Sequence, residues 1–118
     1  MDLKTAITSY QFGERAKSEL IICSQLAMAL SGFPEPEREG GKRMLVMMME
    51  IVRSETEFAE KSTGRGEFRK AVGLTNEAIG NVESMNLGNA SLKLGEAISA
   101  VTTAAQEAWT VLEKHELL

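Results

Sequence analysis

The chain reads as an all-α protein: an up-down antiparallel four-helix bundle that pairs into a dimer. Three observations carry that expectation. Glycine, proline and asparagine gather in three short breaks, and the four stretches between them place apolar residues at helical spacing. No β-branched, alternating run bounded by turns is present, so no sheet is expected. Short connections favour antiparallel neighbours, which gives the up-down order. At 118 residues the chain suits one domain, 1–118, and 43% hydrophobic with 25% charged residues is the balance of a folded protein.

The first helix is expected over roughly 3 to 31. Phe12, Ala16, Leu20, Cys23, Ala27 and Leu30 share one face and suit a bundle core. Leu3, Ile7, Tyr10, Ile21 and Met28 lie on nearly the opposite side, with Glu14 and Lys17 between them. Two opposed apolar stripes on one helix call for neighbours on both sides. A lone bundle supplies one.

The first break is "SGFPEPEREGG", Ser31 to Gly41. Gly32 suits a helix end, and Pro34 and Pro36 cannot sit in a helix interior. Pro36 fits a first helical turn, with Glu37 and Glu39 favourable near the positive end of the dipole. Gly40 and Gly41 weaken that start, so regular helix is expected only from about Lys42.

The second helix, roughly 37 to 62, contains "RMLVMMMEIV" from Arg43 to Val52. The wheel puts Met44, Met48, Ile51, Val52, Phe58 and Ala59 on its core face. Leu45, Val46 and Met49 then fall on or beyond the margin, as surplus apolar surface. A second copy covering both this surplus and the second stripe of helix one predicts a two-fold dimer. Its expected interface is Leu3, Ile7, Tyr10, Ile21, Met28, Leu45, Val46 and Met49. Four of the seven methionines lie between Met44 and Met49. Methionine adapts to partners of several shapes, so a groove for a helix of another protein is a related expectation. It also fills cores well, and core or dimer interface is the preferred assignment.

The second break is "STGRG", Ser62 to Gly66, and the third helix is expected over roughly 67 to 85. Phe68, Ala71, Val72, Ala78, Ile79, Val82 and Met85 form its core side. Gly66, Gly73 and Gly80 recur every seven residues and point away from that side, where a close neighbour would explain them. The third break is "NLGN", with Asn89 as the expected cap of a fourth helix over roughly 90 to 115. Leu94, Ile98, Val101, Ala105, Ala108 and Leu112 form its stripe, and Trp109 sits at the stripe's edge. "EAIGNV" and "EAISAV" resemble each other, but six residues are too few for a repeat.

Composition removes several function classes. A net charge of −4 is wrong for nucleic acid, whose phosphates need clustered Lys and Arg. No apolar run reaches the length of a membrane span, and "MDLKTAITSYQ" lacks the basic start and apolar run of a signal peptide. One cysteine cannot form an internal disulfide, so a reduced, cytoplasmic setting is expected.

Few residues suggest chemistry. Glu55 falls near the centre of helix two's apolar arc, where a carboxylate needs a cation, hydrogen-bond donors or a proton. A core face that rotates locally would instead leave it at the bundle mouth or in an interface ion pair. A bundle interior site around Glu55, Trp109 and Tyr10, binding a small ligand or doing catalysis, is the alternative to an interaction protein. The lone histidine, His115, has no glutamate three residues before it, so a di-metal bundle is not expected. Its place near the chain end also does not suit phosphotransfer. Cys23 belongs to a core face and reads as inert. "STGRGEFRK" lacks the Gly-Lys-Ser/Thr of a phosphate loop; a weak anion site at Arg65 and Arg69 is the most it offers. No catalytic residue, metal or cofactor is expected. The leading expectation is a small interaction or scaffold protein that self-associates through helices one and two.

Overall fold

The computed structural model describes residues 1–118 as four helices and no strand. Helix α1 spans Leu3–Leu30, α2 Glu35–Thr63, α3 Gly66–Glu83 and α4 Leu87–Lys114. Each packs along two others: α1 on α2 and α4, and α3 on α2 and α4. That arrangement is compatible with a bundle.

The helix ends follow local chemistry. Asp2 caps α1, its carboxylate accepting from the Thr5 N–H at 2.7 Å. α2 begins at Glu35, seven residues before Lys42, because Pro36 suits the first turn and Glu35 and Glu37 meet the positive end of the dipole. Gly40 and Gly41 stay helical. Gly41 has a reason to lack a side chain: a Cβ there would come within 3.0 Å of Leu30 and of the Phe33 ring. Gly64 ends α2 in the left-handed conformation (φ 69°), and its N–H reaches the Glu60 carbonyl. α4 starts at Leu87, so Asn89 is helical and not a cap. The turn before it is closed by Met85 at φ 59°, with the Asn86 N–H on the Asn81 carbonyl at 2.7 Å.

The core draws on all four helices. In α3 and α4 most of the sequence-derived faces are buried, Phe68, Ala71, Ala78, Ile79 and Val82, then Leu94, Val101, Ala105, Ala108 and Leu112, while Val72, Met85 and Ile98 are half-buried. In α1, Ala16, Leu20, Cys23, Ala27 and Leu30 are buried as expected, while Phe12 is half-buried at the edge. Alanine dominates where α4 meets its neighbours, and Gly13 brings α1 in close. A Cβ on Gly13 would lie 2.9 Å from the Ala105 Cβ and 3.1 Å from the Val101 carbonyl oxygen.

α2 differs from the wheel. Leu45, Met49, Val52, Thr56 and Ala59 are its buried residues, while Met44, Ile51 and Phe58 are exposed. Leu45 and Met49 therefore belong to the chain's own core and are not available to line an interface. The physical reason is the flanking charge. Arg53 reaches the Asn76 side chain of α3 at 2.6 Å, and Lys42 the Glu83 carbonyl at 3.2 Å. Those contacts turn the Lys42–Val46–Arg53 side toward α3 and roll Met44, Ile51 and Phe58 outward.

Candidate functional site

Large apolar side chains left exposed are distributed unevenly. α1 has six (Leu3, Ile7, Ile21, Ile22, Leu26, Met28) and α2 four (Met44, Met47, Ile51, Phe58), whereas α3 has none and α4 only Leu92 and Trp109. The surplus that the sequence suggested is present on α1 and α2. Its arrangement is not the expected one.

Of the stripe expected on α1, Leu3, Ile7, Ile21 and Met28 are exposed, and Tyr10 marks its α4 side. Tyr10 is half-buried there against the small cluster of Ala6, Ala108 and Leu112. Val46 is half-buried on the α3 side of α2 and packs against the main core. These residues lie on separate sides of the molecule and do not make one patch.

A second, continuous strip runs along the outer groove between α1 and α2. On α1 it follows Phe12, Arg15, Glu19, Ile22, Leu26 and Ala29, and on α2 Met44, Met48, Ile51, Glu55 and Phe58. Both sets alternate steps of three and four residues, the spacing of a coiled-coil seam. Contacts join the two rows. The Phe12 and Phe58 rings sit 5.4 Å apart, centre to centre, and Leu26, Phe33, Met44 and Met48 share a shallow apolar depression at the far end. Met44 is 70% exposed, Ile51 60% and Phe58 58%.

The strip has one polar break. Arg15 donates to the Glu55 carboxylate at 2.7 Å, and its Nε stands 3.7 Å from Glu19, too far for a hydrogen bond. Glu19 lies against Glu55. Loss of hydration, a hydrogen bond to Glu55 and repulsion from its charge together push the Glu19 carboxyl up from 4.5 to about 7, against the pull of Arg15. Glu19 Oε1 and Glu55 Oε2 are both out of water without a donor, a conflict that one proton held between the carboxyls relieves. Glu55 thus sits in an ion pair on the flank of α2, one position round from the core centre where the wheel put it.

This cleft, walled by Phe12, Ala16 and Thr56, leaves essentially no room even for a water molecule. Ligand pockets run roughly 300–1,000 Å³. Trp109 is 41% exposed on α4, which does not pack along α2, so Glu55 and Trp109 form no common site. No group of three metal-ligating side chains is present.

The remaining candidates are occupied or shielded. Arg65 is paired with Glu67 and Glu107, and Arg69 with Glu60 at 3.1 Å, so neither offers a free cation to an anion. Burial pushes the Cys23 thiol up to about 11, which makes it a poor nucleophile. His115 closes α4, its ring Nδ1 2.9 Å from the Val111 carbonyl oxygen. The outward Gly66, Gly73 and Gly80 have no heavy atom of another element within 4 Å of a would-be Cβ. No helix is long and apolar enough to cross a membrane. Compared with known families, curated proteins and solved structures, the chain matches none.

Proposed function

We propose that this is a small cytoplasmic interaction protein, an up-down antiparallel bundle that self-associates through the outer face of α1 and α2. The antiparallel order is supported by the pairs Phe12–Phe58, Arg15–Glu55 and Leu26–Met48, which run in opposite senses along the two helices. One observation carries the functional reading: two adjacent helices present apolar side chains in coiled-coil register to water. Soluble proteins rarely keep such a strip unless something covers it.

A second copy fits the strip better than a lone partner helix. Six side chains on it (Ile22, Leu26, Phe33, Met44, Ile51 and Phe58) are between 39% and 70% exposed. With about 200 Å² for each such side chain, that leaves on the order of 600 Å², the lower end of what each partner contributes to a stable interface. A lone helix seated in the groove would have to supply a matching apolar stripe of its own, whereas a second copy brings one of the same length. Two identical two-helix strips cover each other fully by a two-fold axis.

Sedimentation velocity tests this reading. The wild-type chain is expected to sediment as a dimer at micromolar concentration. Ile51→Glu, at a side chain that is 60% exposed, is expected to be a folded monomer. Equal monomeric masses for both proteins would overturn the reading, and so would a dimer that Ile51→Glu leaves intact.

A further inference from the structure

Resting on the self-association just proposed, we infer that the two-fold axis passes at the Arg15–Glu19–Glu55 break, which makes dimer formation a proton-linked event. The break is the only charged step in an otherwise apolar strip. A register that laid it on the partner's Ile22 and Ile51 would bury carboxylates against hydrocarbon, at a cost of several kcal/mol per uncompensated charge. Laying break on break avoids that. It also sets Phe12 and Phe58 of each copy against the Ile22–Ile51 level of the other.

That register brings four carboxyls and two guanidiniums together, because each copy supplies Glu19, Glu55 and one Arg15. Arg15 is free to serve both copies, with 63% of its side chain exposed. Two negative charges are left over, and two protons neutralise them. Glu19 is the group that takes the proton. The charges acting on it are Glu55 from α2 and Arg15 from its own helix, with the Cys23 thiol one turn on; no charged group of α3 or α4 reaches it. It already holds its proton up to about pH 7 in the single copy. Covering it with a second copy removes more water, and the Arg15 that arrives is matched by the Glu55 that arrives with it, so desolvation decides and the dimer holds the proton to higher pH than the monomer does. The sign follows: association is strongest below pH 7 and weakens as pH rises through and above it.

The test is the dimer dissociation constant from sedimentation equilibrium at pH 5.5, 7.0 and 8.5, for wild type, Glu19→Gln and Glu55→Gln. Wild type is expected to weaken by roughly tenfold or more between the lowest and highest pH, one pKa unit of proton linkage being a factor of ten. Glu19→Gln, a permanently neutral mimic, is expected to hold the low-pH affinity throughout, and Glu55→Gln to flatten the profile as well. The three proteins differ only at the two carboxyls, so their difference isolates the carboxyl pair. A wild-type dimer of pH-independent affinity overturns the proton linkage and leaves the two-helix face standing. Monomers at every pH in wild type and Glu19→Gln alike overturn both.

Discussion

The α1–α2 half and the α3–α4 half are built from helices of similar type but treat water differently. α3 and α4 leave only Leu92 and Trp109 exposed among their large apolar side chains, and their outer surfaces carry glycine, serine, threonine and charge. α1 and α2 bury a comparable stripe and then present a second one in the groove between them. The difference teaches that the core does not consume the apolar surface of the N-terminal half. A bundle asks each helix for one stripe, and surplus beyond it needs another purpose.

The contrast is sharpened most by its two phenylalanines. Phe68 of α3 is fully buried, and Phe58 of α2 lies 58% exposed. Phe68→Ala is expected to cost about 3–5 kcal/mol in chemical denaturation, the range for a buried ring. Phe58→Ala is expected to cost under about 1 kcal/mol in the monomer, since it loses little beyond its contact with Phe12. Equal losses would erase the distinction between the two faces.

Glycines give the next largest effect, with opposite signs in the two halves. Gly13→Ala forces a Cβ into Ala105 and is expected to destabilise by about 1–3 kcal/mol, less the roughly 1 kcal/mol alanine gains in a helix. Gly80→Ala meets no neighbour and is expected to stabilise by about 1 kcal/mol. Thermal melts of the two variants read the signs directly. If Gly80→Ala destabilises, the outer face of α3 is not as open as it stands.

The smallest effect lies in the core of α1. The Ser9 hydroxyl is fully buried without a hydrogen-bond partner. Ser9→Ala is expected to raise stability by about 1 kcal/mol, because it removes an unsatisfied polar atom and keeps the volume. A loss of stability would show that the hydroxyl has a partner.

How far the sequence could be read differs from helix to helix. In α3 and α4 polar residues flank each stripe cleanly, so spacing alone located the core. In α2 the run from Met44 to Met49 is apolar on every side, and a wheel drawn on it has no unique centre. Glu55 held the decisive signal. Taken as an anomaly within the core, it pointed to a site; taken as a marker of the flank, it would have rotated the face and moved Leu45 and Met49 inward. Glu19 gave no signal of its own, because its importance comes from a residue 36 positions away on another helix.

The sequence by itself determined four helices, their breaks, and an excess of apolar surface in the first two, because helix periodicity and chain-breaking residues are local properties. Which side of α2 faces inward, the approach of Gly13 to Ala105, and the meeting of Glu19 with Glu55 were decided only in three dimensions. Each depends on what a neighbouring helix offers at that level: an acceptor oxygen for Arg53 and Lys42 to reach toward, an alanine small enough to approach, a second carboxyl. Spacing along one chain does not encode those encounters. Packing creates them.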